Sequence, residues 1–197
     1  MARRSQAERS AGTQAALLRA TIGCLADRGF DGTSTTEICR RAGVSRGAQL
    51  HHFPTKESLL IAALEHLCDQ RHAEFRGLVE GQSSRSMRLD AAFDQLWKIA
   101  SSDTLVAWIE LTVASRTNPV LADHMRRVSL RLEDEAEATL HTLFGIPEGV
   151  RARAAVRMVL SLLDGLAFRA MLQDEAAAHE ALAVFRALVE PFLGDGG

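Results

Sequence analysis

The sequence predicts an all-α protein of about nine helices, in which a short N-terminal group of helices precedes a larger helical bundle. Apolar residues recur throughout the chain at the three- and four-residue spacing of one helix face. No segment alternates apolar and polar residues with the period of two that a half-buried strand requires. Turn-forming residues such as Gly43 and Pro54 separate the periodic segments. We place the domain boundary after residue 56, which divides the chain into 1–56 and 57–197.

The composition is that of an ordinary globular chain. Of the 197 residues, 47% are hydrophobic and 24% are charged, which is the usual range. No apolar run reaches the roughly 18 residues that a membrane-spanning helix needs. The charged N-terminus is not followed by the apolar core of a signal peptide. We therefore expect a cytoplasmic protein with no membrane partner.

The three cysteines, Cys24, Cys39 and Cys68, are scattered along the chain and form no C-x-x-C pair. This spacing supports neither a zinc ribbon nor a redox motif. Each cysteine lies in an apolar helical context, so we expect buried, reduced thiols.

Charge is distributed unevenly along the chain. Residues 1–56 hold nine Lys or Arg and four Asp or Glu, a net charge of +5, whereas residues 57–197 hold 14 and 21, a net charge of −7. A basic head on an acidic body predicts a polyanionic partner for the head alone.

The first predicted helix covers residues 7–29. Gly29 suits its C-terminal cap, and Phe30 then returns to the core. The S-x-x-E spacing of Ser34 and Glu37 predicts a capping box, in which the serine oxygen accepts a backbone amide and the glutamate reaches back.

Two short helices follow, over about 35–42 and 46–52. Gly43 between them can adopt the left-handed conformation that a tight turn requires, and Ser45 can cap the second helix. Two short helices joined by such a turn and held by helices on both sides predict a helix-turn-helix over about residues 34–53.

The body is predicted to consist of longer helices. We expect a new helix to begin at Asn118 and Pro119, with Asn118 as its cap and Pro119 in its first turn. Residues 145–147 are expected to end this helix, and Pro191 is expected to stop the last one. The predicted helices are 56–79, 87–101, 103–116, 119–143, 148–173 and 175–190.

A helix-turn-helix places its second helix in the major groove of DNA, where the N-terminal half contacts base edges. Arg46 suits the O6 and N7 atoms of guanine. The small Gly47 and Ala48 let the backbone approach, and Leu50 completes the base-reading candidates. His51, His52 and Lys56 are candidates for phosphate contacts.

The stretch from residue 35 to residue 60 resembles the DNA-binding domain of the TetR family, and the likeness extends back over the first helix to about 50 residues. It rests on matches at fixed spacing that include Ile38, Ala42, Gly43, Val44, Ser45, Gly47, Phe53 and Lys56. The resemblance implies a TetR-like fold and a homodimer that binds a palindromic double-stranded DNA operator. It further implies repression and release by a small-molecule effector, although physical reasoning from the residues alone allows activation equally well.

The resemblance also implies residue roles. Thr36 matches a position that can contact base or backbone, Arg46, Gly47, Ala48 and Leu50 match the base-reading face, and His51, His52 and Lys56 match backbone contacts. One position departs from the family, which usually has Tyr where this chain has Leu50. Leucine cannot donate to a phosphate, so Leu50 either contacts a thymine methyl or packs in the core.

In the body, aromatic and apolar residues on successive helices are candidates for an effector site, because such sites are mostly apolar with few polar groups. The alternative is that they are ordinary core residues. The candidates are Phe93, Trp97, Trp108, Thr112 and Met125.

The last two helices carry faces suited to a four-helix dimer interface. Small and apolar residues recur at helical spacing on both helices, and charges at Leu182 and Phe185 would test the interface. The predicted faces comprise Ala154, Met158, Ser161, Leu162, Gly165, Leu182, Phe185, Leu188 and Val189.

Other functions have weaker support. No nucleophile elbow, phosphate-binding loop, zinc-protease motif or di-iron pattern is present, so we expect no enzyme and no cofactor. The pairs His51–His52, His72–Asp69 and Glu137–His141 lack a third ligand, so we expect no metal. A headpiece that contacts protein instead of DNA stays open. So does a minor-groove role for Arg3 and Arg4.

Overall fold

The computed structural model describes residues 6–172 and 175–194. In these ranges all regular structure is helical, and the all-α prediction is confirmed. Arg3 and Arg4, for which a minor-groove role stays open, lie outside the described residues. The helices are α1 (Gln6–Gly32), α2 (Thr35–Ala42), α3 (Arg46–His52), α4 (Lys56–Glu80), α5 (Arg85–Ala100), α6 (Asp103–Ser115), α7 (Pro119–Phe144), α8 (Val150–Ala170) and α9 (Glu175–Gly194).

The chain divides into two compact units. The N-terminal unit runs to Leu67 and takes in Val106–Arg126, and the C-terminal unit comprises Cys68–Leu105 and the chain from Arg127 onward. The N-terminal unit therefore combines α1, α2, α3 and the start of α4 with most of α6 and the start of α7. The domain boundary after residue 56 stays a prediction.

The core of the N-terminal unit is built from leucine and isoleucine side chains of successive helices. Leu17 and Leu25 of α1, Ile38 of α2 and Leu59 and Leu60 of α4 are completely buried. Ile38 and Phe53 of the helix-turn-helix are buried, with exposures of 0% and 6%. Burial on this scale stabilises by about 1.5–3 kcal/mol per large side chain.

Local polar groups set the helix ends where the sequence predicts them. The Oγ of Ser45 accepts a hydrogen bond from Ala48 N at 3.2 Å and caps α3. Thr55 and Ser58 cap α4 reciprocally, because Ser58 N donates to Thr55 Oγ1 at 3.0 Å and Thr55 N donates to Ser58 Oγ at 3.2 Å. Asn118 Oδ1 caps α7 by accepting from Leu121 N at 3.0 Å.

The capping box of α2 forms only in part. Ser34 Oγ accepts from Glu37 N at 3.2 Å as predicted. The Glu37 carboxylate instead accepts from Arg40 and Arg41. Hydrogen bonds between two charged groups are stronger than those to a neutral amide, so the arginines hold this carboxylate.

Helix α1 is kinked at Gly29. This residue has a φ of 68° and a ψ of −179°, and helical structure resumes for one turn to Gly32. The predicted end at Gly29 thus marks the kink, and the chain after it is helical to Gly32. The left-handed φ favours glycine, since a Cβ would be strained there. Thr33 Oγ1 donates to the Gly29 carbonyl at 2.7 Å and closes the kink.

Two apolar clusters lie among the described residues of the C-terminal unit. One joins Val79, Leu89, Ala92, Leu143 and Phe144, and the other is formed by α5, α8 and α9. Helix α9 continues to Gly194, so the prediction that Pro191 stops it is wrong. A proline has a helical φ and removes only one backbone donor, which a helix near its end tolerates more readily than in its middle.

Cys24, Cys39 and Cys68 are free and buried, as predicted. Burial raises the pKa of the Cys24 thiol above its usual range, with Arg41 acting weakly in the opposite direction. A thiol held in its neutral form is a poor nucleophile, so Cys24 serves as a small core residue.

Among the helices that the structure describes, none has both the length and the apolar content needed to cross a membrane.

Candidate nucleic-acid interface

Helix α3 has one buried and one exposed face. Gln49 is completely buried, and Phe53, which caps the C-terminus, is nearly so. Arg46, Gly47 and His51 are exposed together with Leu50. Positions i, i+1, i+4 and i+5 lie on one side of a helix. The structure therefore brings four of the predicted DNA-contact residues onto one outward surface, which we call the α3 face: Arg46, Gly47, Leu50 and His51.

The turn before α3 is fixed by its own backbone. Gly43 has a φ of 67° and a ψ of 30°, and its N–H reaches the Arg40 carbonyl at 3.4 Å. Val44 N donates to the Cys39 carbonyl at 3.1 Å. These bonds satisfy the carbonyls that the end of α2 leaves free, so α3 projects from a rigid support.

A buried glutamine orients Arg46. Arg46 Nη1 donates to Gln49 Oε1 at 2.6 Å, and Gln49 Nε2 donates to the Phe53 carbonyl. One N–H of the guanidinium is thus engaged, while two adjacent N–H groups suffice for guanine. The sequence analysis missed Gln49, although its position on the Phe53 side of α3 was a signal of burial.

The remaining helix-turn-helix candidates differ in exposure. Thr36 is exposed on α2, and Ala48 is half-buried at the start of α3. The His51 and His52 rings meet edge to face with centroids 5.2 Å apart, and His52 is half-buried beside Phe53. Their contacts with DNA stay predictions.

Lys56 has an intramolecular role that the sequence did not reveal. Its Nζ donates to the Phe30 carbonyl at 3.0 Å and lies 4.5 Å from the centroid of the Phe30 ring. The side chain is half-buried. Because an ammonium group has three donors, a phosphate contact stays a prediction, but Lys56 also fixes the start of α4 to the end of α1.

The backbone N–H of the same residue, Phe30, is also held. Phe30 N donates to Glu110 Oε2 of α6 at 2.8 Å. A Cβ on Gly29 would lie 2.9 Å from that oxygen, so the glycine leaves room for the carboxylate. Lys56 and Glu110 therefore bracket the kink of α1.

An ion-pair network joins α1 to α2. Arg41 contacts Glu37 at 2.9 Å and Asp27 at 2.6 Å, and Arg28 contacts Glu37 at 3.3 Å. Hydrogen bonds from Arg40 and then Arg41 lower the pKa of Glu37 to about 2. Arg40 and Arg41 are thus not merely solvated, because both bond to Glu37.

Three of the predicted effector residues lie in the N-terminal unit. Met125 is buried and Trp108 is half-buried. Thr112 is exposed, and its Oγ1 donates to the Trp108 carbonyl at 2.8 Å. Their role with an effector stays a prediction.

The other two lie in the C-terminal unit, in the apolar cluster of α5, α8 and α9. Phe93 meets Phe185 with ring centroids 6.1 Å apart, and Trp97 meets His179 at 4.7 Å. Gln95 on the same helix is only 4% exposed. As a buried amide on α5, Gln95 is a further polar candidate for an effector site, which the sequence pattern did not indicate.

The suspected metal pairs are engaged in other contacts. His72 Nδ1 lies 3.6 Å from Glu135, and Asp69 pairs with Arg131 at 2.9 Å. Glu137 accepts from Gly149 N at 2.7 Å and from Arg153 at 2.9 Å. The hydrogen bond from Gly149 N lowers the pKa of Glu137 most, and the bond from Arg153 lowers it further. Among the residues that the structure describes, no three potential ligands cluster.

An all-α chain with a helix-turn-helix, an exposed α3 face and a helical body defines the class of helix-turn-helix transcriptional regulators. Residues 17–63 match the family model of bacterial regulatory proteins of the tetR family, and residues 85–194 match the C-terminal model of BetI-type transcriptional repressors. The chain belongs to the TetR family of transcriptional regulators, which confirms the resemblance seen in the sequence.

Known relatives agree with this assignment. The chain is 34% identical over 125 residues to the transcriptional regulator CymR of Pseudomonas putida, across 64% of this chain and 62% of CymR, less than two thirds of its length. It is 31% identical over 167 residues to BetI of Cronobacter sakazakii, across 81% and 79% of the two chains.

A crystal structure of a TetR-family regulator from Rhodococcus sp. has a TM-score of 0.77 at 22% identity, covering 93% of this chain and 100% of that one. At this identity the likeness shows the shared fold alone.

Proposed function

We propose that the protein is a homodimeric repressor that binds a palindromic operator through the α3 face and is released by a small-molecule effector. The observation that carries this proposal is the orientation of Arg46 by the buried Gln49 on an otherwise exposed helix face. An arginine held in one orientation loses little conformational freedom when it binds guanine. A protein with this function acts in the cytoplasm, on chromosomal DNA, and needs no cofactor.

The net charge of +5 on residues 1–56 supports DNA as the partner. Phosphate contacts supply most of the affinity of such proteins and orient them, while base contacts supply specificity. The matched families and relatives are regulators, which favours a binding protein over an enzyme. A headpiece that contacts protein would not show the steep salt dependence of DNA binding.

We propose a second copy of the chain as the dimer partner, seated on exposed residues of α8 and α9. Met158 is 68% exposed and Leu188 is 65% exposed. The predicted face needs correction, because Leu182 is buried against Phe93 and Phe185 is half-buried in the same cluster. The exposed stripe, called here the α8–α9 stripe, comprises Ala154, Met158, Ser161, Gly165, Phe168, Val184 and Leu188.

Effector release requires a link between the body and the headpiece. Helix α4 contributes residues to both units, because the N-terminal unit includes the chain up to Leu67 and the C-terminal unit begins at Cys68. We propose α4 as the connecting helix. Helix α6 also has residues in both units, because Leu105 belongs to the C-terminal unit and Val106 to the N-terminal unit, and within the N-terminal unit its Glu110 bonds to Phe30. We propose Gln95 as a polar contact for the effector, because a buried amide gains a hydrogen bond when a ligand supplies the partner.

Selection of binding sites from random duplex DNA tests this function. The full-length protein should enrich a near-palindrome whose half-sites lie about one helical turn apart. Arg46→Ala should relax one base position per half-site, with a cost of about 1–3 kcal/mol. Enrichment of no duplex would overturn the proposal, and catalytic turnover by the purified protein would favour an enzyme.

A further inference from the structure

Leu50 is an exposed apolar side chain whose exposure is not explained by packing in the N-terminal unit. It is the only large apolar side chain among residues 6–66 that is exposed, with 46% of its surface open to solvent. The other large apolar residues of this stretch are buried or half-buried. Of the two interpretations that the sequence left open, packing in the core is therefore wrong.

The position of Leu50 on α3 is fixed by its neighbours. Gln49 before it is completely buried, and Phe53 ends the helix with 6% exposure. These two residues hold the inner side of α3, so that residue 50 points away from the unit. Gly47, one turn earlier on the α3 face, has no side chain, and an added Cβ there would meet nothing closer than Ser45 Oγ at 3.9 Å.

We propose that Leu50 reads the C5-methyl group of a thymine in the operator and is thus a specificity-determining residue. Leucine has no hydrogen-bonding group, and the thymine methyl is the apolar feature that base pairs present in the major groove. Leu50 follows Arg46 by four residues, about 6 Å along the helix. Because base pairs are spaced by about 3.4 Å, this thymine lies within about two base pairs of the guanine that Arg46 contacts. The inference rests on the proposed function.

Deoxyuridine substitution tests the inference, because uracil differs from thymine only by the missing methyl. Each thymine of the selected duplex is replaced in turn, in both half-sites, and the Kd is measured for the full-length protein. We expect one thymine per half-site at which the substitution raises the Kd about fourfold, as burial of one methyl group predicts. Leu50→Ala should remove this sensitivity, whereas Leu50→Met should retain it.

The unfolding midpoint of each variant serves as a control and should not change, since residue 50 is exposed. Equal uridine effects in the wild type and Leu50→Ala, or no effect in either, would overturn this inference while leaving the operator-binding function intact. Failure to enrich any duplex would overturn the proposed function itself, and the inference with it.

Discussion

The backbone N–H of Phe30 donates to the Oε2 atom of Glu110 at 2.8 Å, which joins two helices of the N-terminal unit across 80 residues of sequence. The Phe30 carbonyl accepts from Lys56 at 3.0 Å. The backbone N–H and C=O of one residue beside the kink of α1 thus link α1, α4 and α6. The helix-turn-helix is therefore supported by a helix from the middle of the chain as well as by its own core.

Loss of the Glu110 carboxylate should destabilise the N-terminal unit. Glu110→Ala leaves a partly buried N–H without its acceptor, and we expect the free energy of unfolding to fall by about 1–2 kcal/mol. Glu110→Gln keeps an oxygen acceptor and should lose less than half as much. Urea unfolding of both variants measures the difference, and equal stability of the Ala variant and the wild type would show that the bond contributes nothing.

Gly47→Ala should separate DNA binding from folding. The position has room for a Cβ, and alanine favours a helix by up to about 1 kcal/mol over glycine, so the variant should be at least as stable as the wild type. The new methyl group would stand between the helix and the base edges. We expect operator affinity to fall at least tenfold, or about 1.4 kcal/mol.

Gly77→Ala is the matched control for Gly47→Ala. Gly77 is an exposed residue of α4, and an added Cβ would meet nothing within 4 Å. It should gain similar stability and keep full affinity in the same binding assay. If Gly47→Ala also kept full affinity, close backbone approach at residue 47 would not be part of recognition.

Glu37→Gln should reduce stability in a pH-dependent way. The arginines lower the pKa of Glu37 to about 2 from an ordinary value of 4.5. A lowered pKa in the folded state stabilises the protein above the ordinary pKa, and the effect disappears as the pH falls through the lowered value. Thermal unfolding should show the wild type above the variant at pH 7, with the gap closing between about pH 4.5 and 2. A gap that is independent of pH would contradict this account.

Asp164→Asn should show the opposite pH dependence. Burial raises the pKa of Asp164 above its ordinary value of 3.8, because ionisation is unfavourable in this half-buried position on α8. The ionised carboxylate therefore costs stability as the pH rises above 3.8. We expect the Asn variant to unfold at a higher temperature at pH 7 and at the same temperature as the wild type near pH 3. A less stable variant at pH 7 would reveal a stabilising partner for the carboxylate.

A dimer that uses the α8–α9 stripe should dissociate when charge is placed on it. The double variant with Met158→Glu and Leu188→Glu would bring like charges together in the buried interface. Sedimentation should show a monomer that remains helical. Val113→Glu, at a 60% exposed position of the N-terminal unit, is the control and should stay dimeric. An unaffected dimer in the double variant would place the interface elsewhere.

The parts of the fold that depend on local chemistry were predictable from the sequence. Ser45 capping α3, the left-handed Gly43 and the Asn118 cap of α7 depend on neighbouring residues only. The exposed α3 face followed from the same local reasoning.

Contacts between distant segments were not predictable in this way. Glu110 reaches Phe30 across 80 residues, and nothing in the local pattern of α6 indicates it. Lys56 appeared to be a simple phosphate ligand because its partner, the Phe30 carbonyl, is a backbone atom without a sequence signal. The prediction that Pro191 stops helix α9 was wrong because a helix tolerates the loss of one backbone N–H donor near its end.

The salt dependence of binding tests the central claim most directly. The Kd of the purified protein is measured for its selected duplex and for a scrambled duplex at several salt concentrations. An operator-binding regulator should prefer the selected duplex by about a thousandfold or more, and its affinity should fall by about 10³-fold or more between 50 and 200 mM salt if six or more phosphates are contacted. Equal affinity for both duplexes, or affinity that does not change with salt, would contradict the claim that the α3 face reads DNA.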